Sequence, residues 1–303
     1  MTTIREEQKK SGFVTLVGRP NVGKSTLVNK LVGQKIAIMS DKPQTTRTRI
    51  RGILTTQEGQ AVILDTPGMH RPRHRLGEHM VEVAEHSMRD VDILLCVVDA
   101  AAGHGSGDDH VLEKVRESRT PSFLILNKID AIAKEELLTQ IDLYRGLHSF
   151  VEIVPVSAMT GEQVSILREL IFKYLPRGPF YYPPDAVTDH PERFVIAELI
   201  REKVLKLTRE EVPHAVAVVV EQIERRDDSD VLYIHANIYA ERDSQKAILI
   251  GKGGAMLKQV GVLARRDIER ILGSKAYLEL WVKIKKDWRN HEHWLRSFGL
   301  HDE

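Results

Sequence analysis

Two glycines, a lysine and a serine fall at Gly18, Gly23, Lys24 and Ser25 in "GRPNVGKST", directly after the apolar run Phe13 to Val17. Glycines at that spacing let the backbone wrap a phosphate chain with its N–H groups pointing inward, aided by the N-terminus of a following helix. In that setting Lys24 reaches the outer phosphates and the Ser25 hydroxyl ligates Mg²⁺, with Thr26 completing the set of nucleotide contacts. The chemistry to expect is the handling of a nucleoside triphosphate.

Three further segments decide which one and to what end. "DTPG" closes the run "AVIL": Asp65 is placed to hold the metal through water, and the Gly68 N–H can meet a γ-phosphate. "PQTTRTR" offers a threonine, Thr46 in preference to Thr45, whose hydroxyl completes the metal shell only when the third phosphate is present. "NKID" follows the apolar run "SFLIL", so Asn127, Lys128 and Asp130 emerge at the binding edge of a sheet. A carboxylate at Asp130 accepts hydrogen bonds from guanine N1–H and the exocyclic amine, and adenine offers neither donor there. The stem of Lys128 lies along the purine face. "SAM" adds Ser157 and Ala158, the latter with a backbone N–H aimed at guanine O6. Singly, each is an ordinary turn. In this order they make a switch that distinguishes GTP from GDP.

These residues must be set out by a scaffold. From Phe13 to about Leu175, β-rich runs alternate with amphipathic helical stretches, the pattern of a mainly parallel α/β sheet. The strands are expected at Phe13–Val17, Ile50–Thr55, Ala61–Asp65, Ile93–Asp99, Ser122–Asn127 and Ile153–Pro155, and "GHGSGDD", Gly103 to Asp109, reads as a loop. Five of the 12 prolines then fall between Pro176 and Pro191, which excludes a continuous helix and suggests an interdomain linker. Beyond it the order is α+β, with helices at Arg193–Leu207 and Ala255–Leu272 and a last strand at Ala276–Lys285. The expected division is a first domain over 1–176, a linker over 177–191 and a second domain over 192–303.

Net charge is +1, but thirteen basic and six acidic residues lie between Arg242 and Arg296, so the last fifth of the chain carries about +7. That segment is the candidate for holding a polyanion. No apolar run approaches the roughly 18 residues of a membrane span, and the polar N-terminus does not read as a secretion signal. Cys96, the one cysteine, sits in "VDILLCVVD" and reads as a buried thiol.

The order "GRPNVGKST … PQTTR … DTPG … NKID … SAMTG", followed by the proline-rich stretch and "ILIGKGG", closely resembles the bacterial Era family of GTPases over essentially the whole chain. The resemblance implies a translation-factor-class P-loop G domain joined to a type II KH domain. It also implies GTP hydrolysis and binding of small-subunit ribosomal RNA near its 3′ end during subunit maturation. Gly251, Lys252, Gly253 and Gly254 match the family's G-x-x-G loop, and Lys258 and Arg265 join them as expected RNA contacts. Asn21 resembles the asparagine that helps hold K⁺ in related potassium-stimulated GTPases, so the expected catalytic set is Asn21, Lys24, Thr46 and Gly68. Met69 stands where the Ras-type arrangement has a water-orienting glutamine, which implies slow intrinsic hydrolysis. The resemblance further implies peripheral contact at the inner face of the membrane, for which the sequence holds no lipidation site; the chain is expected to be a cytoplasmic monomer.

Other clusters carry less. His70, His74 and His79, and separately His291 and His293, read as solvent-facing histidines rather than a metal set. "RTRIR", Arg47 to Arg51, suits either RNA or a charged edge strand, and Trp281 and Trp288 could stack bases but read first as packed against the second domain's sheet. A competing function is a constitutive RNA chaperone whose GTP/GDP site is structural.

Overall fold

The computed structural model describes residues 9–70, 72, 74–225 and 231–300. The first eight residues of the polar N-terminal stretch lie outside it. The chain divides into two compact units: residues 1–37, 46–73 and 77–189 form one, and 38–45, 74–76 and 190–303 the other.

In the first unit the elements run β1 (Lys10–Val17), α1 (Lys24–Val32), β2 (Ile50–Thr55), β3 (Gly59–Asp65), α2 (Arg75–His86), β4 (Ile93–Asp99), α3 (Ser106–Ser118), β5 (Ser122–Asn127), α4 (Lys134–Leu147), β6 (Glu152–Val156) and α5 (Val164–Tyr174). They build a six-stranded sheet in the order β2-β3-β1-β4-β5-β6, parallel except for β2. The central strands are buried on both faces, which is why runs such as "ILLCVV" lack alternation. One apolar cluster, including Leu16, Leu27, Phe123 and Leu167, fills one side; a second, including Cys96, Val111, Leu124 and Tyr144, fills the other. Cys96 is fully buried, and burial pushes its thiol up to about 12.

One local reading is corrected. α3 begins at Ser106, inside the stretch expected to be a loop, because the Asp108 carboxylate accepts the Gly105 N–H at 2.9 Å and caps the first turn. The proline-rich stretch expected to be a linker is itself held by hydrogen bonds along residues 181–189. The fully buried Gln60 of β3 accepts the N–H groups of Tyr181 and Tyr182 at 2.8 and 2.9 Å and donates to the Tyr182 carbonyl at 2.9 Å. The Ile53 N–H donates to the Val187 carbonyl at 2.9 Å, and Arg51 pairs with Asp189 at 2.5 Å. An extended strap therefore closes the outer edge of β2.

The second unit contains α6 (Glu192–Leu207), β7 (Ala217–Arg225), β8 (Leu232–Ala240), α7 (Asp243–Ile250), α8 (Ala255–Leu272), β9 (Ala276–Ile284) and α9 (Glu292–Ser297). β7 and β8 are antiparallel, β8 and β9 parallel, in the order β7-β8-β9. Ile196, Val204, Ile234, Ile238, Val260 and Ile268 form its core. Trp288 is fully buried and donates to the Ala215 carbonyl at 3.0 Å, whereas Trp281 is 55% exposed on the sheet's outer face, contrary to its expected packing.

Replacing Gln60 by leucine keeps the volume and strands three backbone groups of the strap. Urea unfolding should lose roughly 2–4 kcal/mol, and the stretch from Gly178 to Asp189 should become open to limited proteolysis. An unchanged midpoint and cleavage pattern would mean the strap is held elsewhere.

Candidate nucleotide site and RNA groove

Every residue of the first site lies at the C-terminal edge of the parallel strands. The registers place Asp65 level with Leu16, and Asp99 level with Asn127. The loop between β1 and α1 is held tightly at its glycines. A Cβ on Gly18 would stand 2.3 Å from the Val97 carbonyl oxygen, and Gly23, at φ +98°, would place one 2.2 Å from Asn127 Nδ2. Lys24 is buried and its ammonium donates to the carbonyls of Gly18 and Arg19 at 3.0 and 2.9 Å. Desolvation lowers its pKa to about 8, against the pull of Asp65. Asn21 lies at the exposed tip of the loop with φ 66°, and Thr26 in the first turn of α1.

Ser25, Thr46 and Asp65 come together. Ser25 Oγ donates to Asp65 Oδ2 at 2.6 Å, Thr46 Oγ1 to the same oxygen at 3.2 Å, and the two hydroxyls are 2.9 Å apart. Thr45 instead donates to the Lys42 carbonyl. The Asp65 carboxyl is fully buried and burial raises its pKa, while Oδ1 has no hydrogen-bond partner. Hard oxygen donors converging beside an unsatisfied buried carboxylate oxygen fit Mg²⁺, which would relieve the buried charge. Gly68 packs on the loop so closely that a Cβ would lie 2.6 Å from Pro20 N, and the following Met69 N–H donates to the Gly18 carbonyl at 3.1 Å. The Met69 side chain is buried in the apolar cluster and presents nothing to orient water.

On the base side the structure redistributes roles. Asn127 is buried: its Nδ2 donates to the Val22 carbonyl at 2.8 Å, and its Oδ1 accepts the Ala158 N–H at 2.9 Å. The N–H assigned by sequence to guanine O6 is thus engaged within the protein, and Asn127 braces the phosphate loop to the segment after β6. Ser157 is likewise buried and accepts the Thr160 N–H. Asp130 is exposed in a short 3₁₀ turn, Ile129–Ala131. Lys128 pairs with Asp99 at 2.5 Å, and Asp99 also accepts the N–H groups of Ala101 and Ala102. Sequence reading passed over Asp99, although an acid ending the run "LLCVVD" at the binding edge was a signal for it.

Two expectations outside the site also change. His79 is buried in α2 rather than solvent-facing, and Arg47 is buried rather than displayed on an edge. Among the described residues no group of histidines, cysteines or acids has the arrangement of a metal site made of those types alone.

In the second unit, Lys252–Gly254 form a short 3₁₀ turn between α7 and α8. Gly251, at φ 72°, packs on Met256, whereas Gly253 and Gly254, also at positive φ, face open space. Beside them lies a groove of about 360 Å³. Leu257, Gly261, Val262, Leu278 and Leu280 give it an apolar lining, and Lys258 and Arg265 stand on the same face of α8 at its rim.

A glycine-held loop between β1 and α1 on a mainly parallel sheet, and a separate βααβ unit with a glycine turn, have the layout of a P-loop GTPase joined to a KH domain. The family described as 50S ribosome-binding GTPase matches residues 13–128, and the KH domain family matches residues 211–289. A crystal structure of an Aquifex aeolicus Era variant bound to GDP·AlF4⁻ superposes with a TM-score of 0.94 at 41% identity, covering 97% of this chain and 100% of that one. A structure of Era in complex with MgGDPNP and nucleotides 1506–1542 of 16S ribosomal RNA superposes with a TM-score of 0.95, at the same identity and coverage. The chain belongs to the Era family of GTPases.

If Asp130 is the residue that holds guanine, replacing it by asparagine removes its charge-assisted acceptors. Fluorescence competition should show GDP and GTP binding weakened by about 10²–10⁴-fold, with xanthine nucleotides now preferred because their C2 carbonyl accepts from the amide. Retained guanine preference would place the discriminating group elsewhere.

Proposed function

We propose that this GTPase is a nucleotide-gated binder of small-subunit ribosomal RNA near its 3′ end, acting in the cytoplasm as a monomer to assist small-subunit maturation. The observation that carries the reading is the cluster of Ser25, Thr46 and Asp65. Thr46 comes from a segment without regular structure and rests on the same carboxylate oxygen as the phosphate-loop serine. A hydroxyl held only by a metal site's ligands is free to leave when the charge there falls, which is how hydrolysis releases such a segment. Ser25, Thr46 and Asp65 would hold Mg²⁺, which would supply neutralisation of the phosphate charge.

In this reading Gly18, Asn21, Gly23, Lys24, Ser25 and Thr26 cradle the phosphates. Gly68 senses the third, and Lys128 and Asp130 hold the base, with Asn127, Ser157 and Ala158 shaping its pocket. Residues 1–176 act as the G domain, 177–191 join it to the KH domain, and 192–303 bind RNA. An Era relative is found on nucleotides 1506–1542 of 16S ribosomal RNA. The groove beside Gly251–Gly254 supports the same use here, since an apolar slot with cations at its rim suits an unstacked base and its phosphates. The peripheral membrane contact rests on the resemblance alone.

Two experiments test the proposal. RNA carrying the 3′ end of the small-subunit sequence should bind the GTP-analogue form about tenfold or more tightly than the GDP form. Gly253→Asp adds a negative charge in open space and Gly261→Leu fills the groove floor; each should weaken RNA binding and leave nucleotide binding intact. Equal affinity in both nucleotide states would favour the constitutive chaperone. Separately, Asn21 is proposed to help hold K⁺ in the position an arginine finger would otherwise occupy. Turnover should therefore be faster in K⁺ than in Na⁺, with the difference lost in Asn21→Ala, and equal rates in the two salts would remove that role.

A further inference from the structure

Arg19 is the second residue of the phosphate loop, and a guanidinium there has two plausible duties, reaching the phosphates or holding the loop. Its side chain is turned to the start of α3. Nε donates to Asp108 Oδ1 at 2.7 Å and Nη2 to the Gly103 carbonyl at 3.1 Å. The other carboxylate oxygen, Oδ2, accepts the Gly105 N–H at 2.9 Å. The Asp108 side chain is 1% exposed, so this ion pair is shielded on the carboxylate side. The stem of Arg19 lies so near the helix that a Cβ on Gly107 would stand 2.5 Å from its Cδ.

The same residue fixes the loop's backbone. The Arg19 carbonyl accepts from Lys24, and the preceding Gly18 carbonyl accepts from both Lys24 and Met69. Gly18 is pressed on the Val97 carbonyl from below, so the contact with Asp108 holds the loop from a second direction. We propose that Asp108 is a positioning residue for the phosphate loop: acting through Arg19, it preorganises the backbone cradle and the resting place of Lys24 for nucleotide. This rests on the reading of Gly18–Ser25 as the cradle and deepens it.

A preorganising contact lowers the ordering cost of binding and is the same for any nucleotide that fills the cradle. Its loss therefore weakens GDP and GTP alike and raises KM far more than it lowers kcat. Helix stability alone would move the melting temperature without that split. Arg19→Ala separates the two, since it leaves the Asp108–Gly105 cap in place.

The test uses the full chain and measures Kd for GDP and a GTP analogue, KM and kcat for GTP, and Tm. The variants are Arg19→Ala, Asp108→Asn and the pair together, with Lys24→Ala as reference. Each single change should weaken both nucleotides by about tenfold, with KM rising in step. The double variant should be no weaker than the worse single, because both changes remove one contact. Single variants within twofold of the parent while Lys24→Ala loses binding, or losses that multiply in the pair, would overturn the inference and leave the cradle reading standing. Parent-like binding by Lys24→Ala would overturn both.

Discussion

The buried carboxylate of Asp65 is the constraint on which the first unit depends. It is closed from solvent, one of its oxygens has no hydrogen-bond partner, and the nearby ammonium of Lys24 is itself desolvated enough to fall to about 8. Burying either ion costs several kcal/mol before compensation, and an imperfect pair does not recover it. A cation beside the carboxylate and an anion beside the ammonium would relieve both charges, so a bound metal and nucleotide would offset the stability given up here. The close-packed glycines are the other half of the same arrangement. They let the backbone come near enough for that relief to be felt.

Parallel register is what makes the remaining residues a site. Asp65, Asp99 and Asn127 each end a strand, and the pairings Leu16↔Asp65 and Asp99↔Asn127 bring those ends to one edge of the sheet. Asn127 then spans from the phosphate loop to Ala158, and Asp99 fixes Lys128. Phosphate and base sides are thus linked by side chains that need not touch the nucleotide. A substitution at Asn127 would act as a loosened brace, not as a lost base contact.

How much of this was legible in the sequence varies with the range of the interaction. β2, β4 and β5 match the expected limits residue for residue, as does α8, because their apolar patterns are local and uninterrupted. The motif residues are likewise near neighbours of the strands that carry them. α3 was missed at its start because glycine content outweighed a cap made by one carboxylate, Asp108. The strap along β2 was hidden because its anchor, Gln60, lies over a hundred residues from Tyr181 and looks like any polar residue in an edge-side strand. His79 and Trp281 show the same limit: composition gives a residue's preference, and only packing decides which side of a helix or sheet receives it.

The hairpin of β2 and β3 limits where a switch can move. Its antiparallel register pairs Ile50 with Asp65, so the strand that follows Thr46 is pinned beside the carboxylate that Thr46 touches. Sliding β2 by one residue would exchange its two faces, taking the buried Leu54 out of its apolar cluster, and would break the strap's hydrogen bond at Ile53. Both penalties fall on a strand that Gln60 and Arg51 already fasten. Any release of Thr46 would therefore fall on the irregular chain before Ile50 and not on the hairpin, and it would also have to uncover the buried Arg47 and Thr48.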